Sequence, residues 1–513
     1  MYKIWSYLLL LIVLQVNGII AQDEEKPNVI FILADDLGYA EVGAFGQEKI
    51  ETPNIDALAK DGMKFTQFYS GAPVCAPARA ILLSGQHAGH AFIRGNHEWG
   101  SRGDVWDHKA MLADSSLEGQ HPIPAETILI PELLKEQGYA TGMIGKWGLG
   151  APHSESVPNS QGFDYFFGYN CQRIAHTLTP THMWENNQKY HLDNDTLPPR
   201  TGLDIGANPK DRTSYEKYDQ KDYAPTVSFE KLMDFVKVNK ENPFFLYWAT
   251  PIPHVPLQAP RNWIDYYVKK FGEEDPYYFY ENENGSYFPA RYPRATYAAM
   301  VSYLDENIGK LVQYLKDENL YDNTLIIFTS DNGPTYTGGS DSEFFDSAKP
   351  FSSENGRGKG YVYEGGIRVP MVATWPDRIP ANTESNLIAT FYDVMPTLSE
   401  ITGSKVSPNA DGTSFAPTLT MRGEQVIPEY HYWEFAGYNG QIAVRMGDWK
   451  FVWKDIQKGN KEVELYNLVK DVKERNNIAD QHPDLVSKFF EIVKKEHITA
   501  EVERFKMDAV DNL

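Results

Sequence analysis

Four stretches of this chain are apolar nearly end to end, and each runs into polar residues of a particular kind. Asn28-Val29-Ile30-Phe31-Ile32-Leu33-Ala34 meets Asp35-Asp36, and Tyr139 to Ile144 meets Gly145-Lys146. Pro243-Phe244-Phe245-Leu246-Tyr247-Trp248-Ala249 leads to His254, and Leu325-Ile326-Ile327-Phe328-Thr329-Ser330 meets Asp331-Asn332. Continuous runs of β-branched and aromatic residues are what strands buried on both faces require. Helical segments lie between them. One starts at Thr52-Pro53-Asn54, another at Pro124-Ala125-Glu126-Thr127 and continues through Leu134, and a third spans Ser228 to Val238. A fourth carries one apolar stripe through Ala298, Val301, Leu304, Ile308, Leu311 and Leu315. Alternating strands and helices predict an α/β fold: a large mixed, mostly parallel sheet flanked by helices on both faces. Open sheets of this kind bind ligands at the carboxyl ends of their strands. The polar strand ends therefore belong to one predicted site.

Asp35, Asp36, Asp331 and Asn332 offer only oxygen donors, which suit a hard divalent cation, calcium ahead of magnesium. No Cys/His cluster of zinc spacing accompanies them. A second signal is Cys75-Ala76-Pro77-Ala78-Arg79-Ala80-Ile81-Leu82-Leu83-Ser84-Gly85. The loop Ser70 to Val74 leads into a predicted helix over Ala78 to Leu83. Cys75 then sits where unpaired backbone N–H groups and the helix dipole favour an anion. Arg79 lies one turn on, on the same face.

Charge and the N-terminus bound the partners. The formal charge is 48 − 70 = −22, which argues against nucleic acid, since phosphate binding needs a basic surface. Two cysteines, Cys75 and Cys171, make no disulfide framework. The apolar run from Tyr7 to Val16, followed by small residues to Ala21, reads as a signal peptide over residues 1–21. It predicts an exported protein, periplasmic or secreted, with no membrane span. The mature chain divides into a main domain, 22–423, and a C-terminal subdomain, 424–513. An irregular polar and aromatic insertion, 151–225, lies near the site. Ile442 to Arg445, Trp449 to Trp453 and Glu464 to Leu468 predict a small α+β unit with an antiparallel sheet, closed by a helix from Pro483.

The spacing C-x-P-x-R-x-x-L-x-S-G at Cys75 resembles the signature of the formylglycine-dependent sulfatases of the alkaline-phosphatase-like superfamily. Alanine stands at 78, where serine is commoner. Pro27 to Gly38, Ser330-Asp331-Asn332-Gly333, Gly145-Lys146-Trp147 and Gly358-Lys359-Gly360 through Glu364-Gly365-Gly366 are similar to other segments of that family. The resemblance implies that a maturing enzyme oxidises Cys75 to formylglycine. It also implies that Asp35, Asp36, Asp331, Asn332 and the modified Cys75 ligate calcium. Arg79, Lys146 and Lys359 then face the sulfate, and His254 protonates the leaving alcohol. One position departs from the pattern. Gly148 stands where the family commonly has the histidine that serves sulfate release. His176 is the candidate replacement, with His153 and His182 behind it.

The expected substrate is a sulfated carbohydrate: an algal polysaccharide such as ulvan or carrageenan, a glycosaminoglycan, or oligosaccharides from them. Export and the aromatic insertion support this. Arg173, Arg94 and Lys189 are candidate contacts to further sulfates or uronates. Two alternatives are a phosphate or phosphonate ester hydrolase on the same fold and a non-catalytic glycan-binding protein.

Overall fold

The structure is a computed structural model and describes residues 26–513; the predicted signal peptide lies outside them. Its centre is a ten-stranded sheet. In chain order the strands of the main domain are β1 (Asn28–Ala34), β2 (Met63–Phe65), β3 (Phe68–Tyr69), β4 (Ala140–Lys146), β5 (Tyr165–Tyr169) and β6 (His182–Glu185). They continue with β7 (Gln188–His191), β8 (Phe244–Ala249), β9 (Thr324–Ser330), β10 (Met371–Thr374), β11 (Thr383–Ser385) and β12 (Ala389–Thr390). The sheet order is β11-β2-β10-β9-β1-β8-β4-β5-β6-β7, while β3 and β12 pair separately. The central run β9-β1-β8-β4-β5 is parallel throughout. Antiparallel pairs appear at β10 and at β6 and β7.

The two faces of β1 show why the run of apolar residues is unbroken. Ile30, Ile32 and Ala34 enter one core with residues of the helices Pro53–Asp61, Ala224–Asn239 and Pro293–Asp317. Val29, Phe31 and Leu33 enter the other, with the helices Cys75–Ser84, Ile130–Glu136 and Val394–Thr402. Alternate side chains point to opposite faces, and both faces are covered, so neither tolerates a polar residue. The register pairs Ala34 with Ser330, Leu33 with Ala249, and Ala249 with Gly145. Asp35, Asp331, Thr250 and Lys146 therefore leave the sheet along one line.

A second, four-stranded antiparallel sheet follows: β13 (His431–Phe435), β14 (Gln441–Met446), β15 (Trp449–Lys454) and β16 (Val463–Asn467). The helix Pro483–Glu496 covers one face, where Phe489 stacks on Phe451 at 5.4 Å. The other face meets the main domain. Trp433, Phe435 and Ala443 pack with Tyr69, Val74, Val362 and Ile367.

Two expectations are corrected. The segment 151–225 is not an irregular insertion, because β5, β6 and β7 continue the main sheet to its edge. The helix expected from Pro124 begins at Ile130. Pro124 to Thr127 instead closes a turn through Thr127 N–H and the Pro124 carbonyl (3.0 Å). Glu132 accepts the Leu129 N–H (2.7 Å) and so fixes the helix start there.

Candidate active site

The helix Cys75–Ser84 is buried along its whole length. Pro77 falls in its first turn, where the missing N–H costs no hydrogen bond. Asn96 Oδ1 accepts the Ala76 N–H at 3.1 Å, giving one free donor a partner. The helix points Cys75 at the end of β1, with Sγ 3.4 Å from Asp35 Oδ1.

Arg79 ties three strand ends together. Its Nε and one terminal nitrogen donate to Asp331 Oδ2 (3.1 and 2.8 Å), and the other donates to the Lys146 carbonyl (2.6 Å). The same guanidinium lies 3.4 Å from Asp35. Lys146 Nζ sits 2.6 Å from Asp35, and Lys359 Nζ 2.6 Å from Asp36. Asp36 occupies the left-handed region at φ 66°, a conformation that costs of order 1–3 kcal/mol outside glycine. Its N–H donates to Asp331 Oδ1 at 3.1 Å, and the next N–H donates to Ser330 Oγ at 2.9 Å. This turn brings the Asp36 carboxylate beside those of Asp35 and Asp331.

Three carboxylates with no exposed surface thus face three cations. Burial opposes ionisation of Asp35, but Lys146, His254 and Arg79 outweigh it and hold its carboxyl far below the usual range. Asp331 is pushed up to about 6 by burial and by Asp35. Repulsion of this kind is what a bound cation relieves. Asn332 bears on the same question. Its amide nitrogen donates to Asp36 Oδ1 (2.8 Å), whereas its Oδ1 is buried with no hydrogen-bond partner. An orphaned buried acceptor beside three carboxylates fits a hard divalent cation held by Asp35, Asp36, Asp331 and Asn332. Asp35, Asp36, Cys75 and His254 also place one donor atom each within 4.8 Å of one another.

Burial, followed by Asp35, pushes the Cys75 thiol up to about 12. Burial and the neighbouring carboxylate thus disfavour the thiolate while no cation is bound. His254 is buried and its Nε2 faces Asp36 Oδ2 at 3.6 Å. Its Nδ1 contacts the Val255 carbonyl, which can only accept, so Nδ1 carries the proton and Nε2 faces the site. Burial and Lys359 lower its pKa to about 4.

His176 joins the site: its ring stacks on His254 with centroids 5.8 Å apart and planes 7° apart. Burial and His254 hold it well below the ordinary imidazole range. Tyr287, at φ 63°, packs edge-on against both rings (5.2 and 5.6 Å). Sequence reasoning missed Tyr287 and Asn96, since neither lies in a motif.

Other candidates lie elsewhere. Arg94 is corrected to a packing role. Buried, it donates to Glu434 (2.9 Å) and to the carbonyls of Gly89, Ala91 and Ile498, joining the two domains. His182 donates its ring to Glu118 (2.8 Å), and Lys189 lies 3.6 Å from the same carboxylate. His153 is exposed beside Ser115. Arg173 is half-buried against Trp106. Gly148 has φ 75°, and a Cβ there would lie 3.3 Å from Gln172, so its backbone and its neighbour both favour glycine.

Buried cations gathered around one helix N-terminus at the ends of parallel strands make a site for an anionic ligand. Comparison with known proteins narrows it. The model of the Sulfatase family matches residues 27–404, and that of the N-sulphoglucosamine sulphohydrolase C-terminal region matches 357–499. The chain belongs to the sulfatase family and is a sulfuric ester hydrolase. It is 27% identical to the N-acetylgalactosamine-6-O-sulfatase of Bacteroides thetaiotaomicron, over 92% of this chain and 93% of that one. It is 30% identical to human arylsulfatase A, over 83% of this chain and 74% of that one. The crystal structure of Ps i-CgsB in complex with k-i-k-neocarrahexaose superposes with a TM-score of 0.69 at 28% identity, covering 92% of each chain. A phosphonate monoester hydrolase of Agrobacterium radiobacter shares the fold, with a TM-score of 0.59 at 19% identity over 92% of this chain and 95% of that one.

Proposed function

We propose that this enzyme removes sulfate from a sulfated poly- or oligosaccharide, using formylglycine made from Cys75 by a maturing enzyme. The observation that carries the chemical part is the placement of Cys75 at a helix N-terminus, 3.4 Å from Asp35, together with the orphaned Oδ1 of Asn332. When bound, calcium polarises a sulfate oxygen and formylglycine supplies the oxygen nucleophile. The remaining work falls to this chain's own side chains. Arg79 fixes Asp331 and the end of β4, so the carboxylates are held in place before substrate arrives. Lys146 and Lys359 present point charges to the sulfate oxygens from two sides. His254 offers Nε2 to the departing oxygen. Burial and then Lys359 lower the His254 pKa; an anion beside Lys359 offsets the second of these and so favours the protonated ring. His176, stacked on His254, is the neutral imidazole available to accept a proton in sulfate release, the role left open by Gly148.

The carbohydrate part rests on relatives. The matched proteins include one named for N-acetylgalactosamine 6-sulfate and one bound to a carrageenan oligosaccharide. Export to the periplasm or beyond belongs to the same reading, and no described helix is long and apolar enough to cross a membrane. The test uses enzyme co-expressed with a formylglycine-generating enzyme. Sulfate release is assayed on carrageenan oligosaccharides, on N-acetylgalactosamine 6-sulfate and on 4-nitrophenyl sulfate beside 4-nitrophenyl phosphate. Calcium-dependent release from a saccharide, with the phosphate ester hydrolysed far more slowly, is expected. Preferential phosphate release sinks the reading. So does saccharide binding without turnover of any ester.

A further inference from the structure

Near the N-terminus of the Cys75 helix, a carboxyl and a guanidinium interact without forming an ion pair. Asn96 Oδ1 accepts from Ala76 in the first turn of the Cys75 helix and from Gln172 Nε2 at 3.4 Å. It thereby fastens the loops at 96–98 and 172–173 against the site. Glu98 follows on the first loop and Arg173 on the second. One oxygen of Glu98, Oε2, is buried and has no hydrogen-bond partner; Arg173 Nε is in the same condition. Among the described residues no ion pair joins the two. Arg173 uses one terminal nitrogen on the Trp106 carbonyl (2.9 Å), and its guanidinium lies 4.2 Å from the centre of the Trp106 ring. That indole is 60% exposed. Buried polar atoms left without partners cost about 1–3 kcal/mol each, and two on residues whose charges feel each other call for an explanation.

We propose that Glu98, Arg173 and Trp106 form a saccharide subsite beside Cys75 that takes a hydroxylated sugar ring. Two ring hydroxyls meet Glu98 and Arg173, and an apolar ring face lies against Trp106. The inference rests on the sulfated-saccharide reading above. A hydroxyl both donates and accepts, so one sugar satisfies the free guanidinium N–H and the free carboxyl oxygen together. Burial pushes the Glu98 carboxyl up to about 8, against the pull of Arg173, Arg504 and Lys146. Held protonated at neutral pH, it can donate as well as accept, and it does not repel a sulfated chain. Tryptophan offers a rigid apolar face with little entropy to lose.

The experiment compares kcat/KM for a sulfated oligosaccharide with that for 4-nitrophenyl sulfate, which has no sugar. The saccharide is whichever of a carrageenan hexasaccharide or N-acetylgalactosamine 6-sulfate the wild type desulfates. Formylglycine-bearing wild type, Glu98→Ala, Glu98→Gln, Arg173→Ala and Trp106→Ala are measured, with calorimetric binding of the desulfated saccharide. The ratio of the two kcat/KM values is expected to fall about tenfold or more in each alanine variant, the loss of one good polar contact. Binding of the desulfated saccharide weakens in parallel, and Glu98→Gln keeps part of both. An unchanged ratio, or an equal fall on both substrates, overturns the subsite. Trp106, being largely exposed, keeps the test open should Arg173→Ala fail to fold. A wild type that cleaves only the aryl sulfate removes the saccharide reading itself, a result separate from these.

Discussion

Gly148 is the residue at which this chain departs most plainly from its family's pattern, and the structure gives the reason in conformational terms. Its φ of 75° strains any residue with a Cβ, and Gln172 would have to shift slightly to admit one. Gly148→His is expected to lower the unfolding free energy by about 1–2 kcal/mol, the cost of left-handed backbone in a residue with a Cβ. Urea denaturation measures it, and an unchanged midpoint contradicts it. Asn332 makes a second prediction. If its free oxygen serves the cation, Asn332→Ala weakens calcium binding by at least the ~10–100-fold typical of losing even an outer-shell partner, read by isothermal titration. A third belongs to His497, whose ring nitrogens lie 2.8 Å from Glu434 and 2.9 Å from Asp511. Burial opposes its charge, but the two carboxylates outweigh burial and raise its pKa. The folded value exceeds the unfolded one, so its contribution to stability is complete below about pH 6.5 and fades as pH rises through the folded value. The gap in melting temperature between wild type and His497→Gln is therefore widest in mild acid and narrows in base.

Among the elements, the C-terminal sheet does more than close the chain. Its Lys450 is fully buried and lies 2.8 Å from Glu364 and 3.1 Å from Glu474. Gln441 of β14 donates to the Gly360 carbonyl at 2.8 Å, next to Lys359. The loop that presents Lys359 is thus held from behind by β14 and β15. Lys450→Met takes the nearby cation from buried Glu474, while Arg368 stays 2.9 Å from Glu364, and is expected to cost about 3–5 kcal/mol of stability. It should lower kcat as well, because the Lys359 loop loses its support; full activity at full stability would refute this. Sequence reading reached β1, β4, β8 and β9 and the Cys75 helix, because strands covered on both faces leave unbroken apolar runs and the motif is local. It missed β5 to β7 as sheet strands, since these are short, and half-exposed Gln188 to His191 carry no apolar run. Arg94 was misjudged for a different reason. Its partner Glu434 is 340 positions away, and a paired arginine looks no different in sequence from a free one. The stacking of His176 on His254 is equally non-local: the glycine at 148 prompted a search for another histidine, and only the fold brings the two rings together.

For the whole molecule, a net charge of −22 sets the terms on which a polyanionic substrate is met. The buried cations attract one sulfate at close range, while the surface repels the rest of the chain. Raising salt from about 0.01 to 0.1 M shortens the screening length from ~30 to ~10 Å. kcat/KM for a sulfated polysaccharide should rise over that range, and that for a singly sulfated small substrate should change less. A fall for the polysaccharide would mean that an outer basic surface steers it. The central proposal is that Cys75, set among the strand-end carboxylates and the flanking lysines, does not act as a thiol. That claim is tested most directly by the mass of the tryptic peptide Phe65–Arg79 from active enzyme, measured with the sulfate-releasing activity of the same sample. The peptide is expected to be about 18 Da lighter than the cysteine form, the mass change of conversion to formylglycine, and activity should scale with the converted fraction. Full activity in enzyme whose peptide keeps the mass of unmodified Cys75 would contradict the account.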